Sequence, residues 1–225
     1  MKALSSPLSL LLLTSACAPG AVSSLGIPST DGAAAFNYNQ WLATSFSAPA
    51  EAAAVRVDSL TVRLDCAAPN QYIFIAITGT VAGRPAMDDI RIVADTAPLT
   101  AQLTLHSVVT FTLQPRLDAG PPVLLPGETY WIIAGMTSPD WDQDLPAGLF
   151  HWSYANTSAG TQSQDGWTVG AATATGNTAG QNWSVENGTP YSFSLALTTI
   201  PEPGVPLLAG LALLALPRRR SLPCA

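Results

Sequence analysis

Strict alternation of apolar and polar residues limits what this chain can fold into more than any other feature. Every second side chain is apolar in residues 60–65 (Leu-Thr-Val-Arg-Leu-Asp) and 191–197 (Tyr-Ser-Phe-Ser-Leu-Ala-Leu). A period of two predicts β-strands with one buried face. In the second of these strands, the residues predicted to face the core are Tyr191, Phe193, Leu195 and Leu197, and those predicted to face water are Ser192, Ser194 and Ala196. No stretch before residue 200 shows a helical period of useful length, so the chain is predicted to be all-β.

Runs of β-branched and aromatic residues predict further strands. The run over 72–77 (Tyr-Ile-Phe-Ile-Ala-Ile) is continuous, which predicts a central strand covered on both faces. Shorter patterns predict strands over 41–47, 90–94, 108–113, 128–134 and 149–154. Breaks are expected at 83–85, 115–127 and 157–180, and the last of these offers only Trp167 and Val169 as anchors. About eight or nine short strands predict one antiparallel β-sandwich or jelly roll over 24–199.

The first 23 residues have the order of a secretory signal peptide. Lys2 gives a basic start, residues 8–13 form an apolar core, and small residues follow. The triplet Ala-Val-Ser ending at Ser23 predicts cleavage after that serine. A second small-residue triplet surrounds Cys17, but a proline follows it and opposes cleavage there. The residues leading to Cys17 also resemble a bacterial lipoprotein box, so lipidation of this cysteine is the alternative.

The C-terminal residues also have the character of a processing signal. A turn-forming Pro-Glu-Pro tripeptide precedes an apolar run over 205–216, and three arginines follow that run. The run predicts a short hydrophobic helix. Its twelve residues fall below the roughly 20 that a helix needs to cross a bilayer core, so the expected anchor is transient. Arginines collect on the cytoplasmic side of membrane segments, which sets the expected orientation.

This order of parts over residues 200–220 resembles the PEP-CTERM sorting tails of exported bacterial proteins. The resemblance implies recognition by an exosortase, a membrane-embedded enzyme thought to cut near the motif. It also implies export through the secretion machinery and signal peptidase, and a place in the cell envelope, on the surface or outside the cell. The implied recognition element is Pro201, Glu202 and Pro203, and the implied cytoplasmic stop is Arg218, Arg219 and Arg220.

A second resemblance covers residues 36–199. An aromatic segment at 41–46 precedes Leu-Thr-Val-Arg-Leu at 60–64, Thr-Phe-Thr-Leu at 110–113 and Pro-Gly-Glu-Thr-Tyr-Trp-Ile-Ile at 126–133. Together these segments resemble the choice-of-anchor R domains of bacterial surface proteins. The resemblance implies an extracellular β-sandwich and brings no catalytic residues with it.

Charge and cysteine content narrow the classes of function. Between residues 24 and 200 the chain has fourteen acidic residues, five arginines and no lysine, a net charge of −9. Such a surface argues against nucleic-acid partners, whose phosphates need basic residues. Cys66 is the one cysteine between those two positions, so the domain is expected to fold without an internal disulfide. An inert, buried thiol is the expected role of Cys66.

The sequence offers little for catalysis. Its two histidines, His106 and His151, lie in no Gly-x-Ser-x-Gly elbow, His-Glu-x-x-His motif or Cys-x-x-Cys zinc spacing. A secreted hydrolase would need one of them beside a carboxylate in a deep pocket. The leading hypothesis is therefore a non-enzymatic surface or extracellular-matrix protein without a cofactor.

The acidic loop over 140–144 suggests an alternative function. Alternating carboxylates could supply oxygen ligands to calcium, and a tryptophan between them could stack on a sugar ring. The residues concerned are Asp140, Trp141, Asp142 and Asp144, with Trp152, Trp167 and Trp183 as further aromatic surface. This pattern predicts a carbohydrate-binding module that attaches to exopolysaccharide with the assistance of calcium. A solvated loop whose tryptophan packs against the sandwich edge is the competing interpretation.

Overall fold

The fold is taken from a computed structural model of the chain, which describes residues 22–27, 30–66, 73–94, 103–115, 123–136, 150–156, 166–177 and 180–200. The chain divides into two compact units. Residues 20–200 form one unit, which contains all of the described residues. The terminal segments 1–19 and 201–225 form the other.

The described residues form thirteen β-strands and no α-helix, which confirms the all-β prediction. The strands are β1 (Val22–Gly26), β2 (Gly32–Phe36), β3 (Trp41–Ser47), β4 (Val55–Cys66), β5 (Ile73–Val81), β6 (Arg84–Ala94), β7 (Leu103–Pro115), β8 (Val123–Leu124), β9 (Thr129–Met136), β10 (Phe150–Tyr154), β11 (Thr168–Asn177), β12 (Gln181–Asn187) and β13 (Phe193–Thr199). All of their pairings are antiparallel.

The first sheet is built around the long strand β4. One edge of β4 pairs with β13 along its first half and with β10 along its last residues. The other edge pairs with β7, and with the short strand β8 at Val55 and Arg56. Strand β1 extends this sheet beyond β13, and β2 extends it beyond β10.

The second sheet has the order β12-β11-β3-β9-β5-β6 and is joined to the first sheet through β7. Strand β7 pairs with β4 from Leu103 onwards, and its last residues, 113–115, pair with β6. The second sheet curls into a half-barrel, so that its end strands β12 and β6 contact each other.

The main core lies between the two sheets. Alternating residues of β4, including Leu60, Val62 and Leu64, face β9 and β3 residues such as Tyr130 and Phe46 in one apolar cluster. Trp167 and Val169 are both buried in this cluster, which confirms that they anchor the segment before and within β11. Close packing of these side chains is the principal stabilising contribution to such a fold.

A second core fills the concave face of the half-barrel. Three tryptophan rings lie there, Trp41, Trp131 and Trp183, and each is at most 6% exposed. Small side chains on the surrounding strands, such as Ala43 and Ala174, leave room for the rings. The second sheet is therefore buried on both faces.

This double burial explains the continuous apolar run that the sequence shows over 72–77. In β5, Ile73, Ile75 and Ile77 face the main core, while Phe74 and Ala76 face the tryptophans. The prediction of a central strand covered on both faces is confirmed over the described residues of that run. Its first residue, 72, lies outside them.

Five strands were not predicted, namely β1, β2, β8, β11 and β12. The expected breaks at 115–127 and 157–180 are wrong where they contain β8 and β11, respectively. Two further local predictions are also wrong. The expected break at 83–85 is confined to a tight turn at Ala82 and Gly83, both with positive φ, and Arg84 already begins β6. Ser192 is buried and not solvent-facing, because its backbone bonds Trp152 Nε1 and the carbonyl of Ser153.

Candidate functional site

The residues predicted for sorting and for calcium or sugar binding lie outside the described residues. They are Pro201, Glu202, Pro203, Arg218, Arg219 and Arg220 in the tail, and Asp140, Trp141, Asp142 and Asp144 in the loop. Cys66 is fully buried at the end of β4, as expected for an inert thiol.

Burial removes the other tryptophans from the proposed sugar-binding surface. Trp152 and Trp167 are fully buried in the main core, and Trp183 is 6% exposed in the half-barrel. A tryptophan can stack on a sugar ring only if its own face is exposed. The expectation that these three rings add to a binding surface is therefore wrong, since their area is used in packing.

Both histidines lie on the polar side of the first sheet, and each is held through Nδ1. His151 stands opposite Asp65 in the β10–β4 pair, and its Nδ1 lies 2.6 Å from Asp65 Oδ1. His106 has a positive φ in an irregular part of β7, and its Nδ1 lies 2.7 Å from Ser153 Oγ. The serine and the carboxylate are thus bound by different histidines.

This arrangement does not resemble a Ser-His-Asp triad, in which one histidine joins the serine to the acid. Ser153 is also only 1% exposed, so a substrate carbonyl could not reach its hydroxyl. Among the described residues, no group of three or more His, Cys, Asp or Glu side chains is placed to hold a metal ion. The His106–Ser153 pair links β7 to β10, and the His151–Asp65 pair links β10 to β4.

A polar cleft of about 350 Å³ opens at one end of the half-barrel, between β5, β6 and the start of β9. Its lining residues are Thr80, Asp89, Arg91, Glu128 and Thr129. Two carboxylates, one guanidinium and two threonines therefore converge on one concave surface. Such convergence of polar groups in a cavity is a general mark of a ligand site.

Irregularities in β6 place the charged residues of the cleft. Ile92 pairs with Ile77 and Ile90 with Thr78, so Arg91 is the extra residue of a β-bulge. A wider irregularity separates Ile90 from Pro85, which pairs with Thr80. Bulges redirect side chains in this way and are common beside functional sites.

Asp89 and Arg91 form a forked ion pair at the cleft. Arg91 Nε lies 2.7 Å from Asp89 Oδ1, and Arg91 Nη2 donates to Asp89 Oδ2 at 2.9 Å. Their side chains are 37% and 40% exposed, respectively. Each of the two side chains is therefore partly open to a solute in the cleft.

Hydrogen bonds to the buried tryptophan and tyrosine fix the other side of the cleft. Trp131 Nε1 donates to Thr80 Oγ1 at 3.1 Å, and that hydroxyl donates to the Thr129 carbonyl at 2.5 Å. The Tyr130 hydroxyl donates to Glu128 Oε2 at 2.8 Å and accepts from the Leu125 N–H. Burial, reinforced by Glu128, raises the pKa of Tyr130 well above its usual range, so the donor stays protonated.

No sequence motif marks this cleft. Its residues come from β5, β6, the first residue of β9 and the residue before it, and the irregular pairing of β6 brings them together. The available signals were weak: Arg91 lies in the strand predicted over 90–94, Asp89 directly precedes that strand, and Gly79 interrupts a β-branched run. A glycine within a strand often marks a close approach by another group.

The two ends of the 20–200 unit are direct neighbours in the first sheet. Val22 lies opposite Thr198 in the β1–β13 pair, and Gly26 lies opposite Ser194. The next core residue, Ile27, donates its N–H to the Phe193 carbonyl at 2.7 Å. The chain therefore enters and leaves this unit at one end of a single strand pair.

No protein-family model matches the chain, and no curated protein matches it in sequence. Among the described residues, no helix has the length and apolar character needed to span a membrane.

Proposed function

We propose that this chain is an exported, non-catalytic β-sandwich protein of the bacterial cell envelope or matrix, sorted through its C-terminal tail. The observation that carries the proposal is the pairing of a signal-peptide-like N-terminus with the Pro201-Glu202-Pro203 tail, apolar run and arginine cluster. An exosortase-type enzyme would act on the tail. The body between the two signals would be the cargo.

The geometry of the 20–200 unit supports this organisation. Because β1 and β13 are antiparallel neighbours, the leader and the tail both attach at the same end of the folded unit. Processing at either terminus therefore acts at this one end of the β1–β13 pair, and cleavage after Ser23 would remove the first two residues of β1. The polar face of the first sheet, with the His106–Ser153 and His151–Asp65 pairs, supplies contacts between strands.

Intact mass spectrometry of the protein from the envelope and the medium of an exosortase-bearing host tests this proposal. We expect a product that begins near Ser24 and ends near Pro203. Replacing Pro201, Glu202 and Pro203 by alanine should leave the tail attached. Alanines at Ser221, Leu222 and Pro223, beyond the arginines, serve as the matched control and should be processed normally.

Two outcomes would refute the proposal. One is a full-length chain that accumulates in the cytoplasm. The other is an exported product that retains all three arginines in the wild type and in both variants alike.

The loop over 140–144 remains a separate proposal for calcium-assisted attachment to exopolysaccharide. A glycan array probed with and without calcium tests it. Loss of calcium-dependent binding on replacing Asp142 by asparagine would support it, and an array without binding in either condition would exclude it.

A further inference from the structure

We propose that the cleft lined by Thr80, Asp89, Arg91, Glu128 and Thr129 binds a neutral sugar through its hydroxyl groups. This inference goes beyond the sorting proposal and does not depend on it, because the cleft belongs to the 20–200 unit. It also differs in place from the acidic loop over 140–144.

The size of the cleft suits a small ligand. Its volume of about 350 Å³ lies at the lower end of the range for small-molecule sites, which is roughly 300–1,000 Å³. A single sugar ring, or the terminal residue of a longer glycan, is the kind of ligand that such a space accommodates.

The chemistry of the lining selects hydroxyl groups. Asp89 and Glu128 offer carboxylate acceptors, while Arg91 keeps hydrogens that its ion pair does not use. A sugar hydroxyl both donates and accepts, so neighbouring hydroxyls can bond a carboxylate and the guanidinium together. Hydrogen bonds to charged groups are stronger than those between neutral groups, and one sugar can form two of them at once.

Other ligand classes fit this lining less well. Two carboxylates against one guanidinium leave the cleft negative, and the body of the protein has a net charge of −9, so anionic sugars are repelled. A purely apolar ligand would cover the charged groups of Asp89, Arg91 and Glu128 without replacing their hydrogen bonds to water. A metal ion would lack a third charged ligand among the described residues.

The cleft is held in shape before any ligand arrives. The Asp89 carboxylate lies over Gly79, in space that any larger residue there would occupy. The indole of Trp131 holds Thr80, and the Tyr130 hydroxyl holds Glu128. Groups that are already ordered lose little conformational freedom on binding, which favours affinity.

The test is saturation-transfer difference NMR on the full-length protein without calcium. The probes are the methyl glycosides of glucose, galactose, mannose and N-acetylglucosamine, with methyl glucuronide as the anionic comparison. We expect saturation transfer to at least one neutral glycoside and weaker transfer to the glucuronide.

Variants locate the site. Asp89→Asn should weaken binding by about tenfold or more, since it removes one charged acceptor and the partner of Arg91. Asp58→Asn is the matched control. Asp58 forms an ion pair with Arg56, two residues away in sequence as Asp89 is from Arg91, at 2.9 Å and outside the cleft. Binding by the control should equal that of the wild type.

Three results would overturn the proposal. They are no transfer to any neutral glycoside with folded wild-type protein, equal binding by Asp89→Asn and wild type, or a glucuronide that binds at least as well as the neutral sugars. Glu128→Gln provides a second variant at the cleft, and urea denaturation of each variant verifies that it is folded.

Discussion

The carboxylate of Asp89 lies directly over the backbone of Gly79, where a side chain at position 79 would stand. Gly79 belongs to β5 and Asp89 to β6, so this contact joins two strands at the irregular part of their pairing. Because Gly79 has no Cβ, the Asp89 side chain can lie against the β5 backbone and form its ion pair with Arg91. Gly79 therefore permits both the close approach of Asp89 to β5 and the position of its carboxylate in the cleft.

Gly79→Ala is predicted to act through Asp89. The new Cβ would displace the carboxylate and break its ion pair with Arg91, while the loss of a flexible glycine offsets part of the cost. We therefore expect Gly79→Ala to lower the free energy of unfolding more when Asp89 is present than when residue 89 is alanine. The expected difference between the two effects is roughly 1 kcal/mol. Urea denaturation of the four proteins in this double-mutant cycle measures the difference. A coupling of zero would show that Asp89 moves aside without loss.

Trp183→Ala is predicted to cost about 3–5 kcal/mol of unfolding free energy, as large truncations in cores do. The ring packs against Gly176 in the half-barrel and is 6% exposed. Trp183→Phe should cost much less, because it keeps a ring and removes an indole N–H that has no partner among the described residues.

Val185→Ala is the matched control for Trp183. It lies on the same strand, is 38% exposed, and should change stability by less than about 0.5 kcal/mol. Chemical denaturation compares all three variants. Equal, small effects for Trp183→Ala and Val185→Ala would mean that the concave cluster is not a stabilising core.

The tryptophan cluster also explains which parts of the fold can be predicted from sequence. The alternation of apolar and polar residues identifies β4 and β13 as strands, because one face of each is buried and the other faces solvent. The same rule misses β11, where Ala172, Ala174 and Gly176 are small because the tryptophan rings occupy the adjacent space. A strand of small residues has the composition of a loop until its large partners on other strands are known.

The candidate site was beyond sequence reasoning for a related physical reason. The positions of Asp89 and Arg91 depend on register shifts between β5 and β6, and local composition does not reveal them. Sequence patterns instead drew attention to residues with recognisable chemistry. Of these, His106 and His151 do lie beside polar partners, but His106 contacts Ser153 whereas His151 contacts Asp65.

High pH should destabilise the protein through its buried tyrosines. Burial, with smaller contributions from Glu186 and Tyr154, raises the pKa of Tyr191 to about 12, compared with 10 for an exposed tyrosine. The stabilisation is complete below about pH 10 and is lost as the pH rises towards 12, because the unfolded chain ionises first. The loss attributable to Tyr191 should reach roughly 2–3 kcal/mol.

Tyr191→Phe tests this expectation, since phenylalanine cannot ionise. Denaturation midpoints measured from pH 8 to pH 12 should fall less steeply for the variant than for the wild type. A residual fall is expected from Tyr130, whose pKa burial also raises. Parallel pH profiles for the two proteins would contradict the assignment to Tyr191.

The position of the mature N-terminus should affect the hydrogen exchange of the Leu197 amide. Ile27 and Phe193 form a hydrogen-bonded pair, and such pairs recur at every second residue of an antiparallel ladder. In the β1–β13 register this makes Ser23 and Leu197 a hydrogen-bonded pair. Cleavage after Ser23 removes both partners of Leu197, and each lost bond contributes about 0.5–1.5 kcal/mol.

Hydrogen exchange can compare a chain that begins at Gly20 with one that begins at Ser24. The Leu197 amide should exchange about tenfold faster or more in the shorter chain, because its strand edge is then open to water. The Leu195 amide is the internal control, since its partner Leu25 is present in both chains and anchored in the core. Equal exchange at Leu197 in the two chains would show that β1 does not protect β13 there. Faster exchange at both leucines would mean that β1 needs Val22 and Ser23 to stay in the sheet, so that cleavage after Ser23 releases the whole strand.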